Sequence, residues 1–292
     1  MKNLSRFKGT ALLAAAVFGI TAAAVAVPGH AQSTLQAIQE RGKLLAGVRF
    51  DNPPSGYIDT RGNNIGFGPD LARAFAKHLG VELELVQVTS KNRIPLLLNG
   101  QIDADIGTTT PTKARDEVVD FSHVYVVDQA RIMVRKGAST DPEDYFNSDT
   151  VAGGMQGSFY IDLWKQHSPD ANMKEYQEFP DVVVALIQGK IDVLPTNKRN
   201  AYEIIEKLGA RADNIEVGGA FFEDFMAIGL RENDSDWRDW VNWTLQRMWG
   251  DGSYQALYEK HFKTQPAFEL GDAGRLQPGY EKVAKENDFW SQ

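Results

Sequence analysis

The 292-residue chain contains no cysteine, which removes disulfides, zinc-thiolate centres and thiol nucleophiles together. Histidine is scarce, and the five present (positions 30, 78, 123, 167 and 261) are dispersed, with no pair at the spacing of metal ligands. Basic residues are in deficit. The 31 Lys and Arg against 39 Asp and Glu give a formal charge of −8, the wrong sign for a surface that holds nucleic-acid phosphates. Catalytic signatures are missing too. Ser158, in Gly157-Ser158-Phe159, lacks the flanking spacing of a nucleophile elbow. Gly66-Phe67-Gly68-Pro69-Asp70 lacks the third glycine of a dinucleotide loop, and no Walker lysine follows a glycine-rich turn. No motif for an enzyme, a metal or a cofactor is legible. The composition is nevertheless that of a folded protein: 42% apolar and 10% aromatic is too much for a disordered chain, and the length suits two ordinary domains.

One long apolar run is present. Lys2, Arg6 and Lys8 precede an Ala-rich stretch over residues 10–27, Pro28 breaks it, and Gly29-His30-Ala31 precedes the expected cut. This is the layout of a secretory signal peptide over residues 1–31, cleaved after Ala31. The alternative is a retained anchor, since 18 apolar residues fall just short of the roughly 20 that span a bilayer. The weak apolarity of alanine and the small-residue exit favour cleavage. Cleavage discards three basic and no acidic residues, taking the formal charge from −8 to −11. No later segment is long and apolar enough to span a membrane, so a soluble, exported product is expected.

In the mature region, Leu35-Gln36-Ala37-Ile38 follows a capping Ser33 or Thr34 and predicts a short helix stopping at Gly42. Residues 44–50 read as a buried strand and Asn52-Pro53-Pro54-Ser55-Gly56 as a loop, because its prolines break a ladder. Pro69 opens a helix over residues 70–78, with Leu71, Phe75 and Leu79 on one face and Gly80 as its stop. Val81, Leu83 and Leu85 alternate as the next strand. This βαβ rhythm predicts an α/β fold with mostly parallel sheets. Further on, Trp237, Trp240, Val241, Thr244, Leu245 and Met248 form one helical stripe, and Tyr254, Leu257, Tyr258 and Phe262 another. Both read as core.

An internal echo suggests duplication. Leu97-Leu98-Asn99-Gly100-Gln101-Ile102-Asp103 is matched 89 residues later by Leu186-Ile187-Gln188-Gly189-Lys190-Ile191-Asp192. It reads either as two chance occurrences of a helix–Gly–strand joint or as two similar lobes. In the second case both lobes present the ends of their strands, Thr108 in one and Asn197 in the other, to a shared crevice. Gly107-Thr108-Thr109-Thr110-Pro111-Thr112 then precedes Lys113-Ala114-Arg115. Spacing alone leaves two readings for it: an anion site closed by Arg115, or a helix cap at Thr110 or Thr112 with Arg115 in a surface ion pair.

The run from Asn92-Arg93-Ile94-Pro95 to Ile102-Asp103, then Thr108-Thr109-Thr110, Arg115 and Val119-Asp120-Phe121-Ser122, resembles the periplasmic solute-binding proteins of polar amino-acid ABC transporters, the bacterial extracellular solute-binding proteins of family 3. Gly66-Phe67 with Asp70-Leu71-Ala72, and Gly157-Ser158, fit the same pattern, which covers residues 44–262. The resemblance implies a type II periplasmic-binding-protein fold: two α/β lobes, two hinge strands and a ligand in the interlobe cleft. On that pattern Arg115 takes the ligand α-carboxylate with Thr108 and Thr110, and Gly157 and Ser158 complete the cradle from the other lobe. Arg49 and Arg93 match glutamate/aspartate-binding members, where they meet the side-chain carboxylate. Read from its residues alone, Arg93 is equally an exposed helix-start arginine.

Two departures stand out. Asn197 occupies the position where the family usually has an aspartate for the α-ammonium, with Lys198 and Arg199 making that edge more positive. Ser55 replaces the usual aromatic platform, leaving Phe50, Tyr57, Phe67 and Phe159 as substitutes. The expected arrangement is lobe I over residues 32–131 and 227–292 and lobe II over residues 132–226. The ligand-binding residues are then Arg49, Arg93, Thr108, Thr110, Arg115, Gly157, Ser158, Phe159 and Asn197, in a crevice that concentrates positive charge. The expected product is a monomeric, non-enzymatic periplasmic protein without cofactor, delivering an acidic amino acid to the permease of an ABC importer. A non-amino dicarboxylate or other organic anion is the alternative that Asn197 raises. A cyclohexadienyl dehydratase-like enzyme is a third, with Asp51 and Asp224 as the acids near the crevice. Mass spectrometry of the exported protein is expected to give Gln32 as the first residue; an intact leader on the exported chain would overturn the cleavage reading.

Overall fold

The computed structural model describes residues 32–268 and Leu270; the leader and its cleavage point lie outside the described residues. The chain runs through α1 (Thr34–Arg41), β1 (Lys43–Val48), β2 (Asp51–Asn52), β3 (Gly56–Ile58), β4 (Asn64–Ile65), α2 (Phe67–Leu79), β5 (Glu82–Gln87), α3 (Arg93–Leu98), β6 (Ala104–Thr109), α4 (Lys113–Asp116) and β7 (Val119–Arg135). It continues through β8 (Val151–Met155), α5 (Phe159–His167), β9 (Asn172–Tyr176), α6 (Phe179–Ile187), β10 (Val193–Asn197), α7 (Lys198–Leu208), β11 (Ile215–Arg231), α8 (Ser235–Gly250) and α9 (Ser253–Phe262).

The helix boundaries follow their punctuation. Ser33 caps α1, accepting from the Gln36 N–H, and Gly42 ends it at φ 69°, a left-handed turn that glycine adopts without steric cost. Gly80 ends α2 the same way. That helix starts at Phe67, earlier than the proline suggests, because Pro69 falls within the first turn, where its missing N–H has no intrahelical partner to lose.

Eight strands form one sheet in the order β5-β1-β6-β11-β7-β10-β8-β9. Four of its seven strand pairings are parallel, as expected, and three are antiparallel. Two parallel trios, β5-β1-β6 and β10-β8-β9, flank the antiparallel pair β7 and β11. Both of these strands are 17 residues long. β6 pairs with β11 at Ala227 and Gly229, whereas β10 pairs with β7 over Ala130–Val134, nearer the other end of the ribbon. The expected Pro-Pro loop is the tip of a small hairpin: Asp51 and Asn52 pair with Tyr57 and Gly56 on either side of it. The prolines occupy the turn, where no ladder bond is required of them.

The apolar core divides along the same line. One cluster gathers Ile38, Val48, Phe67, Phe75 and Tyr125 with Ile228, Trp237, Leu245, Tyr254 and Tyr258. Another gathers Met133, Phe179, Val182, Leu186, Ile191, Leu194 and Ile215. Two lobes result. Both C-terminal stripes predicted as core are packed there, Trp237 stacked on Trp240 and Phe67 edge-on to Tyr254 and Tyr258.

The echo has a physical cause. The Asp103 N–H donates to the Leu45 carbonyl at 2.7 Å while its carboxylate accepts the Leu45 N–H at 2.8 Å. In the other lobe the Asp192 N–H donates to the Val151 carbonyl at 2.7 Å and its carboxylate accepts the Val151 N–H at 3.0 Å. Arginines neutralise both acids, Arg41 and Arg231 at Asp103 and Arg135 at Asp192. The preceding Ile102 and Ile191 lie over Gly47 and Gly153, where a Cβ would collide with them. The motif is thus a clamp that fixes the register of one strand against its parallel neighbour. Asp103 is buried, whereas the Asp192 side chain is 37% exposed. Asp103→Ala is therefore expected to cost about 2–3 kcal/mol in urea unfolding and Asp192→Ala less than about 1 kcal/mol.

Candidate ligand-binding site

The C-terminal ends of the strands of both lobes converge on one small cavity of about 20 Å³. Arg49 follows β1, Ser90 follows β5, and Thr108 and Thr110 stand at the end of β6. From the other lobe come Met155 at the end of β8, Ser158 to Tyr160 at the start of α5, and Thr196 and Asn197 at the end of β10. Asp224 and Met226 enter from β11. Strand ends leave loop N–H groups and side chains unpaired with any ladder, which is why open α/β sheets bind ligands at this edge.

The three predicted arginines differ in what they touch. Arg49 is 1% exposed and makes a bidentate pair with Asp51, both bonds 2.8 Å, while also donating to the Ser90 hydroxyl at 3.2 Å. Its charge is therefore already met within the protein. Arg93 is buried to 2% at the first turn of α3. A reciprocal pair holds that turn, Thr89 N–H to Asn92 Oδ1 and Asn92 N–H to the Thr89 hydroxyl. Its Nη1 donates to the carbonyls of Gly107 at 2.8 Å and Thr108 at 3.0 Å, and its Nε has no partner. Burial, reinforced by the neighbouring Arg115, pulls its pKa down to about 9. Arg115 reaches across the cleft, donating to Thr110 O at 2.6 Å and Gly157 O at 3.1 Å.

The loop holding these donors is strained. Thr108 has φ 63°, a conformation that costs a β-branched residue energy and persists only where surrounding contacts enforce it. The bond from Arg93 and the hydrogen bond of its N–H to Tyr125 supply that enforcement.

At the centre lies Asp224, 1% exposed. It accepts from the Thr110 hydroxyl at 2.8 Å on Oδ1 and from the Tyr160 hydroxyl at 2.6 Å on Oδ2. Burial, with Asp128 across the ladder adding to it, raises its pKa to about 6 despite those two donors. Asn197 caps α7, its Oδ1 accepting the Asn200 N–H at 2.9 Å. Among the described residues, the buried side-chain atoms without a partner include Asn52 Oδ1, Arg93 Nε and Asn200 Oδ1, all from residues that line this cavity.

Of the nine predicted residues, Arg49, Arg93, Thr108, Thr110, Ser158, Phe159 and Asn197 line the cavity together. Arg115 and Gly157 meet each other at its rim instead. The Thr run serves both purposes weighed for it: Thr112 caps α4, accepting the Arg115 N–H, while Thr108 and Thr110 face the cavity. Arg199, expected to make the edge positive, is bound by Asp128 and lies over the rings of Tyr258 and Phe262. A larger groove of about 580 Å³ runs past Asp128, Arg199, Tyr202 and Phe262, and none of the nine lines it. Asn52, Ser90, Met155, Tyr160, Thr196, Asn200 and Met226 were not singled out from sequence. Only Tyr160, two residues after Gly157-Ser158 on the same turn, had a local signal.

Among known proteins, the pattern of the bacterial extracellular solute-binding proteins, family 3, matches residues 44–264. A glutamine-binding protein of an ABC transporter in Bacillus subtilis is 31% identical over 247 residues, covering 81% of this chain and 87% of the relative. A glutamate/aspartate import solute-binding protein of Escherichia coli is 26% identical, covering 88% of this chain and 89% of the relative. An ancestral amino acid-binding protein, described as a precursor of cyclohexadienyl dehydratase, superposes with a TM-score of 0.73 at 31% identity, over 79% of this chain and all of its own.

Gly157 marks where the backbones of the two lobes meet. A Cβ there would stand 2.9 Å from both Lys91 Cα and Ser90 O, at φ +72°. Gly157→Ala is expected to hold the walls apart and raise the radius of gyration in small-angle X-ray scattering. Gly137→Ala, equally strained at φ +84° but in open space, is expected to leave it unchanged.

Proposed function

The chain belongs to the bacterial extracellular solute-binding proteins of family 3, and on that premise we propose that it captures an acidic amino acid between its lobes and hands it to the permease of an ABC importer. The observation that carries the acidic reading is Arg93. It is a guanidinium buried to 2%, with an unpartnered Nε and no carboxylate within ion-pair reach among the described residues. Asp105 acts on it only from beyond ion-pair distance, and a buried cation so lightly compensated is costly unless something anionic joins it. Arg49 stands in the same wall and shares the role, with Asp51 as its resident partner. The α-carboxylate meets the start of α5 at Ser158, backed by Gly157, Phe159, Thr108, Thr110 and the charge of Arg115. Charge-assisted hydrogen bonds of this kind contribute roughly 1.5–3 kcal/mol each.

The cavity as it stands is smaller than any amino acid, so admission requires the lobes to part and binding to bring them back. Residues 32–131 with the described residues from 227 onward move as one lobe and 132–226 as the other, about β7 and β11. The protein acts as a monomer in the periplasm. A non-amino dicarboxylate is the second reading, favoured by one observation: the Asn197 carbonyl oxygen is engaged in capping α7 and offers no countercharge to an ammonium. Turnover of the dehydratase kind would have to rest on Asp224 alone, since Asp51 is locked on Arg49.

Titration calorimetry against the twenty L-amino acids, cystine and a set of dicarboxylates is expected to show glutamate or aspartate binding, weakened at least 100-fold by Arg93→Met. No binding of any acidic compound, or near-normal affinity in that variant, would overturn the acidic reading.

A further inference from the structure

We infer that Asp224 supplies the countercharge for the ammonium group of the bound amino acid and so decides between amino acids and their deamino analogues. This rests on the reading of the ligand as an amino acid given above.

Among the described residues that line the cavity, Asp224 is the one carboxylate. It has no cation within ion-pair distance among the described residues, and what holds it are two neutral hydroxyls, one on each oxygen. A carboxylate has about four acceptor positions, so both oxygens retain capacity for the donors of an ammonium. Arg115 acts on it only from beyond ion-pair distance, so this buried anion, hydrogen-bonded by neutral groups alone, is under-compensated. Burial lifts its pKa only to about 6, which keeps it ionised at neutral pH, and a ligand cation would hold it so.

The surroundings deepen the bias. Asp128 lies directly across the ladder from Asp224 and adds negative potential, although its own carboxylate is held by Arg199. Asn197, which also lines the cavity, has its oxygen turned to the α7 cap. The cavity therefore carries opposite charges in different elements: Arg93 on α3, with its unpartnered Nε, and Asp224 on β11. That pairing complements a zwitterion.

Placement supports the same role. The ladder between β7 and β11 is regular from Phe222 to Met226 and shifts register on both sides of that segment. Asp224 sits at its middle. The donors come from opposite lobes, Thr110 beyond β6 and Tyr160 in α5. The carboxylate is thus aimed by both lobes together, and its full geometry exists only when they meet.

The test compares L-glutamate with glutarate, and L-glutamine with glutaramate, by calorimetry on the wild type, Asp224→Asn and Asp224→Ser. The serine keeps a small acceptor for Thr110 and Tyr160 should the amide fail to fold. Thermal melts establish folding. The wild type is expected to prefer the amino acid of at least one pair by about 100-fold. In the variants that amino acid is expected to weaken by about 100-fold while its deamino analogue stays within threefold. A variant that keeps wild-type affinity for the amino acid would overturn the role of Asp224 and leave the proposed function standing. So would a wild type that binds the deamino analogue equally well, a result that needs no variant at all. A wild type that binds dicarboxylates but no amino acid would remove the amino-acid reading and this inference with it.

Discussion

Two strands cannot pass from one packed body into another without something giving way, and here it is the hydrogen-bond register. β7 and β11 pair along nearly their whole length, yet the ladder slips at Val217–Ala220, Ala220–Phe222, Met226–Ala227 and Ala227–Gly229. Each slip bends and twists the ribbon locally. Between the inner two lies a short regular segment, so the crossing has stiff middle ground with compliant edges. The rest of the molecule depends on it. The parallel trios hang from opposite ends of this ribbon, and the angle at which it bends sets whether their strand ends face one another.

The cleft that results is better described by compensation than by sign. A crevice of concentrated positive charge was expected inside an acidic protein. The structure instead seats Arg49 on Asp51 and Arg199 on Asp128, each guanidinium within about 3 Å of its carboxylate. The groups left without an ion-pair partner among the described residues are Arg93 and Asp224 in the cavity and Arg115, which donates to carbonyls across the cleft. An acidic surface average and a locally balanced interior are compatible, because screening confines exposed charges to about 10 Å or less at ordinary salt.

Much of this was legible in the sequence, for specific reasons. Helix ends were readable because glycine at Gly42 and Gly80 is conformational punctuation. The lobe repeat was readable because the clamp needs Ile, Asp and a preceding Gly at fixed spacing, and seven of the nine residues expected from the family resemblance line one cavity. The antiparallel pair was not readable. A long strand whose burial is irregular over its first part and nearly continuous over its last has no single period. Nor was the fate of Arg49, since a pairing partner two residues away across a bend leaves no mark in composition. Asp224 was visible as an acid near the crevice, but its two hydroxyl donors lie 114 and 64 residues distant.

The division of the core has a consequence for how the chain assembles. The cluster containing Met133, Phe179 and Ile215 is drawn from one continuous stretch. The cluster containing Ile38 and Phe67 needs Trp237, Tyr254 and Tyr258 as well. During synthesis from the N-terminus, the first segment made therefore belongs to the core completed last. Strands β1, β5 and β6 must wait, with an open edge at β6, until β11 arrives to pair with it more than a hundred residues later. An unpaired strand edge is a template for association with other chains. For this protein the vulnerable interval lies early in its life, and the C-terminal helices end it.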